Sequence, residues 1–157
     1  MNDLERLVAI EDIRRVMAAY VHHADLHRWR DLADLFEADG TFTPLKVDGT
    51  EWTVMSGQEQ IAAALGSNAG PNDVVIHHLF SDEIDVHSST TAHGVWSMED
   101  SFTRGKTAEG GERTDIPDEF AFNTMHGYGH YHGDFVKTDG VWRIQKLVQT
   151  RVRLDFT

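Results

Sequence analysis

An aspartate stands where an amphipathic helical pattern ends, at Asp25 in "YVHHADLHRW", and two histidines, His77 and His78, sit together in the strand-like run "VIHHLF". These are residue types suited to proton transfer. Histidine titrates nearest to neutral pH, and a carboxylate beside an imidazole fixes its tautomer and favours its charged form. The chain holds ten histidines, most of them beside aromatic or acidic residues, and no cysteine. Thiol catalysis, thiolate metal sites and disulfides are thereby excluded. An anion at the carbonyl end of a helix is mildly destabilising. Asp25 therefore either caps the element that begins near Trp29 or answers a charge elsewhere. Strand alternation sends His77 and His78 to opposite faces, so one can enter a cavity while the other meets solvent or a subunit contact. Asp25 reaches the inward one only if its helix lies over the sheet.

A second acid breaks an apolar pattern. In "TAHGVWSMEDSF" one face carries Ala92, Gly94, Trp96, Met98, Asp100 and Phe102. Asp100 thus falls on the apolar face, where a carboxylate must be paired, hydrogen-bonded or protonated; the alternative is a strand-end acid turned out by a bulge. In "GYGHYHGDF" the alternation groups Tyr128, His130 and His132 on one face, opposite Gly127, Gly129, Tyr131 and Gly133. Glycines inside a strand mark a bend or a close backbone approach. The first face either turns inward, making Tyr128 and His130 cavity residues, or forms an aromatic ladder toward solvent. His126, His130 and His132 are close enough to raise the question of metal. The spacing is neither H-E-x-x-H nor a facial triad with an evident carboxylate, and no metal is expected.

The elements that must position these residues follow from periodicity. Leu4, Leu7, Ile10, Ile13, Met17, Tyr20, Val21 and Ala24 recur at three- and four-residue steps, the stripe of a long helix. A short second helix is predicted from Trp29, Leu32, Ala33 and Phe36, closing at "ADG". "TFTPL" and "EWTVMS" read as short strands about the turn "KVDG", and "GQEQIAAALG" as a third helix between Gly57 and Gly66. From Val74 the period becomes two, giving four long strands with turns at "HSST" and "TDG". The stretch "GKTAEGGERTDIPDE" reads as a glycine-rich, charged loop. Helices followed by a run of strands make one α+β domain over residues 1–157, a curved sheet wrapped over the long helix with a cavity between them.

Composition narrows the partners. Fourteen basic against 26 acidic side chains give a net charge of −12, a field that repels phosphate backbones, so nucleic acid is not an expected partner. No apolar run reaches membrane-spanning length, and the charged N-terminal segment lacks a signal-peptide core. A cytoplasmic setting is expected. A homo-oligomer, trimer or dimer, is expected from an apolar outer face on the last strand, read as Trp142, Ile144, Val148, Val152 and Leu154.

The order "YVHHAD", "LADLFEADGTF", "SGQEQIAAAL", "VIHH", "GVWSMED", "GHYHGDFVKTDGVWRI" resembles the SnoaL-like branch of the nuclear transport factor 2-like superfamily, over essentially the whole chain. Scytalone dehydratase, bile acid 7α-dehydratase and hexachlorocyclohexane dehydrochlorinase have similar domains. The resemblance implies an α+β cone-shaped barrel, its curved mixed or antiparallel sheet wrapped around a long N-terminal helix with two further helices, with a deep apolar pocket and no cofactor. It further implies a histidine base at His77 oriented by Asp25, with Tyr20 and Asp100 binding a substrate oxygen or protonating a leaving hydroxyl. For that last role Asp100 must be neutral, which an apolar wall of Trp96, Met98 and Phe102 favours. Trp52, Met55 and Leu147 are further lining candidates; Leu147 stands where related enzymes often carry an arginine. The expected activity is a dehydratase-like lyase or isomerase acting on a hydrophobic, oxygenated small molecule. The alternatives are a non-catalytic binding or assembly domain and the small subunit of a ring hydroxylase.

Overall fold

The structure, a computed structural model, describes residues 1–106 and 121–157. Most of the predicted glycine-rich loop falls outside the described residues. Helix α1 (Asp3–Asp25) opens with a reciprocal capping box: Asn2 Oδ1 accepts the Glu5 N–H at 2.9 Å and the Glu5 carboxylate accepts the Asn2 N–H at 2.8 Å. Its buried stripe is Ala9, Ile13, Met17, Tyr20, Val21 and Ala24. Leu4 and Leu7, expected in that stripe, are exposed. The Arg6 guanidinium already reaches the terminal carbonyl of the underlying strand, at Val86, so the first turn projects past the sheet.

At its other end α1 closes through His27, whose φ of 55° places it in the left-handed region. The Arg28 N–H bonds to the His23 carbonyl at 2.8 Å and the His27 N–H to Ala24 at 3.1 Å, a Schellman-type reversal. His27 stacks on Trp29 with ring centroids 5.3 Å apart, aiming the short helix α2 (Trp29–Ala33) back across the fold. Phe36, expected to end that helix, instead opens β1 (Phe36–Pro44). The predicted "ADG" turn lies inside β1, where pairing with the last strand shifts register between Phe36 and Thr41. "EWTVMS" contracts to β2 (Met55–Ser56) and a bridge between Leu45 and Glu51. Helix α3 (Gln58–Asn68) runs through Gly66, the expected terminator. A Cβ at Gly66 would sit 3.1 Å from Trp29 Cδ1, so that glycine admits the indole and does not stop the helix.

The four long strands are β3 (Val74–Val86), β4 (Thr91–Thr103), β5 (Thr124–Thr138) and β6 (Val141–Phe156). Asp139 and Gly140, both at positive φ, make the tight β5–β6 turn. The sheet order is β2-β1-β6-β5-β4-β3, antiparallel throughout except for the parallel pair of β1 and β6. The chain is an α+β cone: α1 lies over the concave face of this curved mixed sheet, which stays open at its β2 and β3 edges. Tyr20 is the aromatic hub of the core, edge-on to Phe36, Phe42 and Tyr131 with centroids 5.5–6.2 Å away.

Strand β6 departs from strict alternation. The register shifts where Asp134 faces Lys146 and Phe135 faces Ile144, leaving Gln145 as an extra residue. Trp142 and Ile144, expected on the outer face, are therefore buried in the core, together with Leu147. The apolar outer face that motivated the oligomer expectation is correspondingly smaller. Among the described residues no helix is long and apolar enough to cross a membrane.

Backbone packs directly on backbone at Gly129, where an added Cβ would overlap the Thr150 carbonyl oxygen of β6. Gly129→Ala should force the two strands apart at a cost of about 1–3 kcal/mol, read as a lower urea midpoint. Gly49→Ala meets no neighbour but sits at a φ of 83°, so it carries left-handed backbone strain without a steric clash and separates the two effects.

Candidate active site

The last residue of α1 answers the open edge of the sheet. Strand β3 is an edge strand, and the His77 backbone N–H, which no neighbouring strand receives, donates to Asp25 Oδ1 at 2.9 Å. The same oxygen lies 2.8 Å from His77 Nδ1. With Nδ1 as the donor, Nε2 keeps its lone pair, and the imidazole lines the cavity between helices and sheet. Elsewhere α1 is held over β3 by the Arg14–Asp82 ion pair at 2.9 Å. His78 turns to the opposite, exposed face and packs beside Phe80.

Asp100 is the direct cross-strand neighbour of His77 and is buried on the same face. Both of its oxygens are engaged by Arg151, Nη1 to Oδ1 at 2.6 Å and Nη2 to Oδ2 at 2.7 Å. That is a bidentate ion pair with side chains only 4% and 6% exposed. The neutral, proton-donating Asp100 expected from the sequence does not take this geometry into account: both of its oxygens accept hydrogen bonds from one guanidinium. Burial works against the charge on Arg151, but the hydrogen bonds and charge of Asp100 outweigh it and raise the guanidinium pKa. The pair spans β5, and at Gly127 an added Cβ would collide with both Arg151 Nη1 and Asp100 Oδ1.

A buried polar chain continues from this pair. Gln149 Nε2 donates to Tyr131 Oη at 3.2 Å and lies 3.4 Å from Asp100 Oδ2; Tyr131 in turn hydrogen-bonds Tyr20. Burial pushes both phenols well above their ordinary range, with the charge of Asp100 adding to it. Both hydroxyls stay protonated at neutral pH.

The cavity measures about 180 Å³ and is walled mainly by Trp29, Phe42, Trp52, Met55, Phe102 and Phe122, with Tyr20, His77, Asp100, Tyr131, Gln149 and Arg151 as its polar groups. Trp52 and Met55 are among the residues that line it. Trp96, Met98 and Leu147 are core residues that do not reach the cavity. Tyr128 and His130 lie on the outer face of β5, because the inward positions belong to Gly127, Gly129, Tyr131, Gly133 and Phe135. His126 of β5 lies 2.5 Å from Glu99 and His93 of β4 lies 2.7 Å from Asp134. Among the described residues no group of histidines and acids could hold a metal. Sequence reasoning missed Arg151, Gln149 and Tyr131. The bulge at Gln145, which turns Gln149 and Arg151 inward, leaves no mark in the alternation.

The SnoaL-like domain family matches residues 5–148, and the chain belongs to it. No curated protein matches the chain significantly. Among solved structures, a candidate scytalone dehydratase from Novosphingobium aromaticivorans superposes with a TM-score of 0.75 at 21% identity, over 98% of this chain and 90% of that one. Hexachlorocyclohexane dehydrochlorinase LinA-type3 from Novosphingobium barchaimii gives 0.75 at 18% identity, over 99% and 94%. A candidate aromatic ring hydroxylase from Novosphingobium aromaticivorans gives 0.73 at 20% identity, over 94% of each chain. At such identities the likeness establishes the fold, and three differently named proteins share it.

Removing one partner of a buried ion pair strands the other's charge. Asp100→Leu or Arg151→Met alone should destabilise by about 3–5 kcal/mol, and the double variant should recover much of that loss. Urea unfolding of the four proteins measures the cycle.

Proposed function

We propose that the protein is a lyase or isomerase of the dehydratase type, needing no cofactor, that acts on a hydrophobic, oxygenated small molecule by general-base catalysis. The observation that carries this reading is the Asp25–His77 pair, which leaves Nε2 unbonded among the described residues in a largely apolar cavity that also holds a guanidinium and two buried phenols. His77 Nε2 takes a proton from carbon next to a carbonyl, and the C–H electron pair becomes the new π bond. In an elimination, the hydroxyl on the adjacent carbon departs with its own bonding pair and collects the proton from the imidazolium, so water leaves and the base is restored. In an isomerisation the same imidazolium returns the proton to another carbon. Asp25 stabilises the imidazolium and holds its tautomer. Tyr20 and Tyr131, kept neutral by burial, are suited to hydrogen-bond the substrate oxygen, and the Arg151–Asp100 pair supplies a fixed dipole beside it.

A second reading has one observation in its favour. Asp25 also accepts the His77 backbone N–H, a bond that ties the helix end to an edge strand whether or not chemistry follows. On that reading the chain is a ligand-binding or assembly domain, and the dyad is a fold element.

The two readings part on mutation. Screening hydroxylated ketones and thioesters for loss of water identifies a substrate. With it, His77→Ala should lose about 10²–10⁴-fold in turnover. Asp25→Asn should be comparably harmful while retaining the backbone bond through its amide oxygen, and the two losses should not add. His78→Ala, on the outer face, should be silent. A fold that weakens in these variants with ligand affinity unchanged, and no turnover in any of the proteins, would favour the binding domain.

A further inference from the structure

The cavity holds a second guanidinium that the reading above does not use. Arg104 lies just beyond the end of β4, four residues along from Asp100 and past Phe102, all three lining the cavity. At about 3.3 Å per residue this sets it roughly 13 Å from the Asp100–His77 level. Its side chain is only 9% exposed. The guanidinium carbon sits 4.3 Å from the Phe102 ring centroid and 4.9 Å from that of Phe122.

What matters is how little of this group is spoken for. Among the described residues its hydrogen bonds all come from Nη1, to Asp73 Oδ2 at 3.0 Å and to the Asn68 carbonyl at 2.6 Å. Among those same residues Nε is buried with no partner, and Nη2 makes no hydrogen bond. Nε and Nη2 form the side-on edge of a guanidinium, whose two parallel N–H groups match a carboxylate. Nor does Asp73 depend on Arg104 alone. Its oxygens also accept the backbone N–H groups of Gly105 and Gly70, each at 2.8 Å. These bonds outweigh burial and, ahead of Arg104, hold its pKa below the ordinary value. Arg151 also has a buried Nε without a partner, but Asp100 occupies both of its terminal nitrogens, so it has no free two-pronged edge.

We propose that the cavity takes a ring-bearing carboxylic acid whose carboxylate docks on the side-on edge of Arg104, with its ring system against Phe102 and Phe122 and its far end toward His77. The carboxylate satisfies the orphaned Nε, and the aromatic walls take the ring faces. The position of the reacting carbon rests on the catalytic reading of His77; the carboxylate site does not.

Binding tests this without turnover. Biphenyl-4-carboxylate and the uncharged biphenyl-4-carboxamide are titrated against the intrinsic fluorescence of Trp29 and Trp52, which line the cavity. The wild type should prefer the acid by about tenfold to a hundredfold. Arg104→Gln should abolish the preference and leave amide affinity unchanged. Arg104→Lys keeps the charge and the Asp73 pair but lacks the two-pronged edge, so it should keep only part of the preference, and it answers the question should the glutamine variant fail to fold. Equal affinity for acid and amide in the wild type, no measurable binding of the acid, a preference that survives Arg104→Gln, or acid and amide weakening together in both variants would each overturn the proposal. A verified acid preference alongside a silent His77→Ala would leave the carboxylate site standing and sink only the catalytic reading.

Discussion

A guanidinium and a carboxylate with almost no exposed surface must neutralise each other, and in this fold they do so across an intervening strand. Asp100 belongs to β4 and Arg151 to β6, with β5 between them, so the pair bridges two strand spacings, roughly 10 Å of sheet. That span imposes the rest. Position 127 of β5 must carry no side chain. Strand β6 must present Arg151 inward, which the extra residue at Gln145 achieves by exchanging the faces of the strand. Gln149, turned inward by the same exchange, then hands the polarity of the pair to Tyr131 and so to Tyr20 on the helix. The helix core contact and the charge pair are in this sense one construction.

Legibility in the sequence followed the strength of the local period. Strand β4 alternates without interruption, so of the two placements that the sequence left open for Asp100 the one on the face of Trp96 and Met98 is found, buried. Strand β3 was bounded correctly by its β-branched run and the turn after it. The dyad needed more: a strand histidine and a helix-end aspartate become partners only if the helix crosses the edge strand, and for that step the family likeness supplied what periodicity lacks. Strand β6 was misread because a bulge adds one residue without changing composition, so Trp142 and Ile144 were given to the wrong face and Arg151 could not be placed. Gly66 was misread for a related reason. A glycine that ends a helix and a glycine that admits an indole look identical until the neighbouring element is in place.

The cavity divides its tasks between two kinds of polar group. His77, on an edge strand and held at one nitrogen, leaves the other uncommitted. Asp100, Gln149 and Tyr131, deep in the sheet, are bonded to one another and give a fixed electrostatic wall that need not reorganise when charge develops on a ligand. Because the fold is shared by proteins with unrelated names, the function of the chain has to be argued from this pattern of committed and uncommitted groups.

The parallel pairing of β1 with β6 carries a consequence for how the protein comes into being. β1 is flanked on one side by the two-residue β2 and on the other by β6, and Phe36 lines up with Ile144; the Ile144 N–H bonds the Leu35 carbonyl at 2.9 Å. As the chain leaves the ribosome, β1 emerges long before its main strand partner, β6, exists. The nascent first half must therefore carry the apolar faces of Phe36, Phe42 and Tyr20 uncovered until translation has passed Arg151. Pairings this distant in sequence close slowly, and half-made sheets with open edges are prone to aggregate. Production of the molecule depends on how well the cell shelters that interval.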